Sequence, residues 1–187
     1  MNTNRSIQQL LSEMFAQSLE VITRPSVANF EKYEGKGGLR EAAIYVAVGA
    51  AIAGLLNLFG GSLASFLSTI LSTLFGFFIF VYLVHYVGSR QGGTGTLEQV
   101  AYTFSLFWVP ISVAAALLAL ILVITVVGIL LVWLVPLAAF GAYVYLGFLA
   151  VQSSLNLTDS SKAWITLIVA GVASLLVNLL VAVLSGS

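Results

Sequence analysis

The tract from Leu97 to Leu155 holds a single charged side chain, Glu98, and is otherwise almost unbroken apolar sequence. A single helix of that length, at about 1.5 Å per residue, would be far longer than a bilayer is thick. The tract must therefore turn back on itself inside an apolar solvent. A crossing helix needs about 20 mostly apolar residues, and on that measure the chain contains five. The first is AAIYVAVGAAIAGLLNLF (42–59), and LASFLSTILSTLFGFFIFVYLVHYV (63–87) is the second. The long tract divides near Thr125 to Gly128 into a third span (98–122) and a fourth (129–152). KAWITLIVAGVASLLVNLLVAVL (162–184) is the fifth. Composition agrees: 7% of residues are charged, against about 25% in a soluble domain. The expected fold is all-α, a polytopic membrane bundle of five transmembrane helices (42–187). It follows a cytoplasmic region (1–41) made of an amphipathic interfacial helix and a hinge.

Charge gives an independent check on the count. With five spans, Arg5, Arg24, Lys32, Lys36, Arg40, Arg90 and Lys162 share one side, and these are all the basic residues of the chain. Lys and Arg stay preferentially in cytoplasmic loops, whereas four or six spans would send Lys162 to the other face. The N-terminus is therefore expected inside and the C-terminus outside. No cleavable signal peptide is read in MNTNRSIQQL; the first apolar run would serve as an uncleaved insertion signal. Seven acidic residues balance the seven basic ones, which leaves no electrostatic case for nucleic acid. Cysteine is absent, so disulfides and thiolate chemistry are excluded.

Residues 7–22 place Ile7, Leu10, Leu11, Met14, Phe15, Leu19 and Ile22 at helical spacing on one face. The polar face carries Gln8, Gln9, Ser12, Glu13, Gln17 and Glu20. It has no base with which to hold anionic lipid. The helix either lies on the inner interface, packed under the bundle, or offers a docking face; Arg24-Pro25 ends it. The mixed-charge segment 31–41 reads as a solvated hinge. In span two, Ser68, Ser72 and Gly76 recur every four residues, as do Ser65, Thr69 and Thr73. Small residues at this spacing allow close helix packing, with Gly171 and Ser174 of span five as partners. The alternative is a polar lining for a water path. Asn57, Gln152 and Asn178 suit interhelical bonds or dimer contacts, and Trp133 and Trp164 suit interface anchors. One histidine, His85, and no cysteine cannot assemble a metal site, and neither a cofactor nor a catalytic set is expected.

Gly92, Gly93, Gly95 and Thr96 raise the question of a phosphate loop. No Lys follows the glycines as a P-loop requires, and Glu98 stands where a dinucleotide fingerprint needs a third glycine. A flexible inside loop ending at a helix N-cap explains these residues, with capping boxes at Thr96/Gln99 and at Ser6/Gln9. A partner or lipid headgroup could rest on its exposed amides. Asp159 or Ser160 can cap the fifth span.

The order RPSVANFEKY, GGTGTLEQ, AYTFSLFWVP and LTDSSKAW, placed on five spans, resembles the Yip-domain family of membrane proteins, first known as partners of Rab-type GTPases. Pro25 and Phe30 match its Pro and aromatic before span one. Gly92, Gly93, Gly95 and Thr96 match its glycine-rich entry to span three, and Tyr102 and Val109-Pro110 its aromatic and Val-Pro element. The longer inside region and the acidic-Leu-Tyr-Gly-Pro motif of eukaryotic members are missing. The chain therefore resembles a compact bacterial-type member of the inner membrane, which weighs against a GTPase partner. The resemblance implies a non-enzymatic scaffold or adaptor in membrane organisation or trafficking, with a cytoplasmic protein partner and scope for a homo-oligomer. The competing reading is a small passive channel or transporter of solute, ion or lipid. No Asp, Glu, Lys or Arg lies inside a span to couple transport to an ion.

Overall fold

The computed structural model of the chain describes residues 6–57 and 62–185. Arg5, the turn at 58–61 with the end of the first expected span, the side chain of Asn57 and residues 186–187 lie outside the described residues. Among the described residues eight helices follow in order: α1 (Ile7–Thr23), α2 (Val27–Glu34), α3 (Leu39–Asn57), α4 (Leu63–Arg90), α5 (Leu97–Ile124), α6 (Val126–Leu131), α7 (Leu134–Ser154) and α8 (Ser160–Ser185). Helices are the economical answer in hydrocarbon, because each satisfies its own backbone polar groups. Five stretches are long and apolar enough to cross: Leu39–Leu56, Leu63–Arg90, Leu97–Ile124, Gly128–Ser154 and Ser160–Val181. The fold is the all-α membrane bundle expected, with N-terminal helices added.

The expected break between spans three and four falls at Thr125. Its hydroxyl caps α6 by accepting the Gly128 amide at 3.0 Å. The fourth span, however, is two helices, α6 and α7, separated at Val132–Trp133. Pro136 accounts for this. It has no N–H for the carbonyl four residues back, and its ring crowds that carbonyl, so it is accommodated only in the first turn of a new helix.

The hinge expected over 31–41 shrinks to residues 35–38, because α2 runs to Glu34 and α3 begins at Leu39. Ser26 starts α2 by accepting the Asn29 amide at 3.2 Å. Phe30 and Tyr33 are then buried. Glu31 and Lys32 lie on the exposed outer face of a packed helix, which hides its apolar residues from a composition count.

Helix α5 is the axis of the bundle, touching α1, α2, α3, α4, α6 and α7. Every residue from Val100 to Phe107 is buried, as expected for a helix with no solvent face. The core lies at one end. Val81, Val84 and Gly88 close α4 there, Leu146 to Leu155 close α7, and Ala163, Leu167 and Ala170 open α8. Toward the far end the helices separate, and Leu117, Ile121, Leu175 and Leu179 are exposed. The tight end also carries α1 and α2.

Candidate functional site

The tight end collects most of the residues singled out in the sequence. Pro25 separates α1 from α2. Phe30 is fully buried and meets the Phe107 ring edge-on, with centroids 6.1 Å apart. The Tyr102 ring packs on Gly37, where a Cβ would overlap it. The Tyr102 hydroxyl donates to Gln17 Oε1 at 2.8 Å. Pro110 lies apart, midway along α5, one residue after Val109, whose side chain fills the notch left by Gly49.

Helix α1 is held by its polar residues as much as by its apolar ones. Gln17 accepts from Tyr102 of α5, and Ser18 shares a buried 2.9 Å hydrogen bond with Tyr45 of α3. Glu20 pairs with Lys32 of α2 at 2.7 Å and accepts from the Tyr33 hydroxyl. These contacts, Lys32 first, hold the Glu20 carboxyl below its ordinary range. Gln17 and Glu20 therefore face protein, and the expected solvent face is narrower than periodicity implied. Leu10, Met14, Ser18 and Val21 form the buried flank. Phe15 and Leu19 lie about 100° further round, and with Ile7 they stay 55%, 47% and 63% exposed.

The glycine loop is not free. Three of its amides are taken: Gly92 donates to Ser89 O (3.2 Å), Gly93 to Gly88 O (2.9 Å) and Thr94 to Leu155 O (3.0 Å). Asn156 Nδ2 donates to Thr94 Oγ1 at 3.2 Å. Gly95 presses on the end of α7 so closely that a Cβ would overlap the Ser154 carbonyl oxygen. Within this loop only Gly92 has a positive φ, +96°. The expectation of exposed amides open to a headgroup is thus corrected: the glycines let the loop seat against α7. Thr96 and Gln99 then form the capping box that starts α5, as Ser6 and Gln9 do for α1. Asp159 caps α8 by accepting the Ser161 amide at 2.8 Å.

The end of α7 is where these elements join. Ser153 Oγ donates to Glu34 Oε2 of α2 at 3.1 Å, close to the loop contact at Ser154 and Leu155. Burial pushes the Glu34 carboxyl upward; the Ser153 bond opposes that and Glu31 adds to it. Gln17, Ser18, Glu34 and Ser153 carry no sequence signal for these roles, because each sits on a face that periodicity assigns to solvent or to packing.

The stripe of small residues behaves differently from expectation. Ser68 and Ser72 remain exposed. Ser72 Oγ donates to Thr69 O within its own helix at 3.1 Å. A Cβ at Gly171 would meet nothing within 4 Å, and one at Gly76 only Asn178 Oδ1 at 3.9 Å. Helices α4 and α8 do pack together, but Ser72, Gly76, Gly171 and Ser174 line a cavity of about 690 Å³ beside that contact. Close approach occurs elsewhere, where Gly88 receives the Leu155 side chain. Among the described residues, no three His, Cys, Asp or Glu side chains gather where a metal could sit.

A five-span bundle with an N-terminal helical layer clasped to one end defines a multi-pass integral membrane protein. Residues 19–182 match the Yip1 domain, and the chain belongs to that family. No curated protein sequence and no solved structure matches it.

Two glycines in one loop should respond differently. Gly95→Ala drives a methyl into backbone and should cost about 3 kcal/mol or more. Gly92→Ala meets only its positive φ and should cost about 1 kcal/mol. Unfolding by denaturing detergent in mixed micelles, followed by helical circular dichroism, measures both.

Glu34 gives a pH dependence. An acid whose pKa rises on folding favours the folded state at low pH and penalises it as pH climbs through the folded value. Glu34→Gln keeps an acceptor for Ser153. It should raise the melting temperature at neutral pH, and the gain should vanish below about pH 4, where the carboxyl is protonated folded or unfolded.

Proposed function

We propose that the chain is a non-enzymatic membrane scaffold that engages a cytoplasmic protein through the outer flank of α1. The carrying observation is that Phe15 and Leu19 stay exposed on a helix fixed to three neighbours by Gln17, Ser18 and Glu20. A rigidly presented apolar flank loses little entropy on docking. Helix α1 contains no Lys or Arg, so an anionic membrane surface would not attract it. A protein groove that takes spaced apolar anchors from a helix suits it better. Trafficking or membrane organisation in a bacterial inner membrane, as the resemblance implies, is the setting in which such a surface would serve. The competing reading, passive conduction, draws on the cavity beside α8, but no acidic or basic side chain lines that space.

Crosslinking in native membranes and quantitative mass spectrometry should recover a specific protein with the parent and lose it with Phe15→Glu and Leu19→Glu. Equal recovery would defeat the scaffold reading. Flux of a small solute through liposomes holding the purified parent would favour conduction instead.

The one-sided distribution of Lys and Arg supports a cytoplasmic position for the N-terminal layer. The chain has no cysteine, so single substitutions report cleanly. Ser62→Cys should react with an impermeant maleimide in intact cells, and Ser12→Cys only after permeabilisation. The reverse pattern would invert the topology.

A further inference from the structure

We propose that the cavity among α4, α5, α7 and α8 is a binding site for one hydrocarbon chain of a membrane lipid. It rests on the shape and chemistry of the splayed half of the bundle, and it stands independently of any cytoplasmic partner.

Helices α7 and α8 meet at one end, where the Phe148 and Trp164 rings stack with centroids 4.6 Å apart. Beyond that contact they diverge. Phe140 on α7 and Ile168, Val172 and Leu175 on α8 line the cavity while remaining exposed. The mouth therefore opens between these two helices, toward the surrounding bilayer. The floor is a cluster of rings from α4, α5 and α7: Phe77, Phe80 and Tyr143 all pack on Trp108, with centroids 5.6, 5.9 and 4.9 Å away.

Length and volume narrow the occupant. From Trp164 to Asn178 along α8 is about 21 Å, whereas one leaflet of hydrocarbon is about 15 Å deep. The space accepts an extended chain end to end. Its volume, about 690 Å³, falls within the range of ligand pockets. Leaving such a volume empty would forfeit packing on a scale that rivals the stability of a whole domain. Water is a poor filler, since it needs several polar partners.

The few polar groups gather at the far end. Asn178 Nδ2 donates to Ser174 O at 2.8 Å and lies 3.5 Å from Ser174 Oγ. Its Oδ1 accepts no hydrogen bond among the described residues. Asn178 stands about two turns inside the end of α8 at Ser185. There a lipid hydroxyl can donate to its Oδ1, with the chain running past Trp108 toward Trp164.

The test uses Trp108 as a reporter. With Trp133→Phe and Trp164→Phe, the full chain carries one tryptophan, beside the cavity. A companion keeping only Trp133, which is exposed, gives the reference for open contact with lipid. Both are reconstituted in phosphatidylcholine vesicles with brominated acyl chains. Trp108 should be quenched at least half as strongly as Trp133. Gly171→Phe or Gly76→Leu, each filling open space, should cut Trp108 quenching at least twofold and leave Trp133 unchanged. Trp108 shielded in the unfilled protein overturns the proposal whether or not the filled variants fold. Undiminished quenching in both well-folded filled variants overturns it too. Quenching that disappears as protein density in the vesicle rises would assign the space to a second copy and would equally overturn it.

Discussion

The rest of the structure depends on burying one helix from every side. Between Val100 and Phe107, α5 has no residue left for lipid or water. Neighbouring spans gain nothing from the hydrophobic effect by leaving lipid for one another, since lipid tails are as apolar as leucine. Shape has to hold them. That is why contacts between a bare glycine and a large side chain recur: Gly49 takes Val109, Gly37 takes Tyr102 and Gly88 takes Leu155. Each exchanges a smooth surface for an interlocking one and gains dispersion contacts that lipid chains would supply less completely.

The water-facing end is secured differently. Here polar bonds cross between elements, from Gln17, Ser18 and Glu20 of α1 and from Glu34 of α2. The Glu20–Lys32 pair is partly exposed and contributes little alone. The Ser18–Tyr45 bond is buried, so removing either partner would strand the other. Together they turn an amphipathic helix that could have lain loosely on the membrane into part of the folded body. The same economy explains the glycine loop. Its amides bond to the ends of α4 and α7, which leaves the start of α5 in a fixed register over the end of α7.

The five spans were legible because their signal is solvent itself: long apolar runs and a one-sided placement of Lys and Arg need no tertiary knowledge. The capping boxes at Ser6 and Thr96 were legible because they are local. Helix α2 was hidden by charges on its outer face, and the α6–α7 break by the absence of any polar residue near Val132. Pro136 was the available clue. The glycines at 92–95 were visible, but their use was not, because it depends on Ser154 and Leu155, some sixty residues on. The small-residue stripe was half legible: α4 and α8 do pack together, but spacing does not tell which small residues meet a neighbour and which face a gap.

What holds that gap open can be named. At the level of Ser72 and Gly76, the side of α5 facing α4 and α7 presents Trp108, with Phe77, Phe80 and Tyr143 packed around it. Interiors are close-packed, and rings of this size do not compress. They hold α4 and α7 apart, and α8 meets both where side chains are smaller, at Gly88 against Thr166 and at Gly147 against Leu167. Beyond those contacts α8 stays beside α4 as far as Gly76 and Asn178 and diverges from α7, so Gly171 and Ser174 line the gap without closing it. The tight end and the open end are thus two consequences of one distribution of side-chain volume. A bundle built this way can keep its water-facing layer rigid while its opposite half remains accessible to the bilayer.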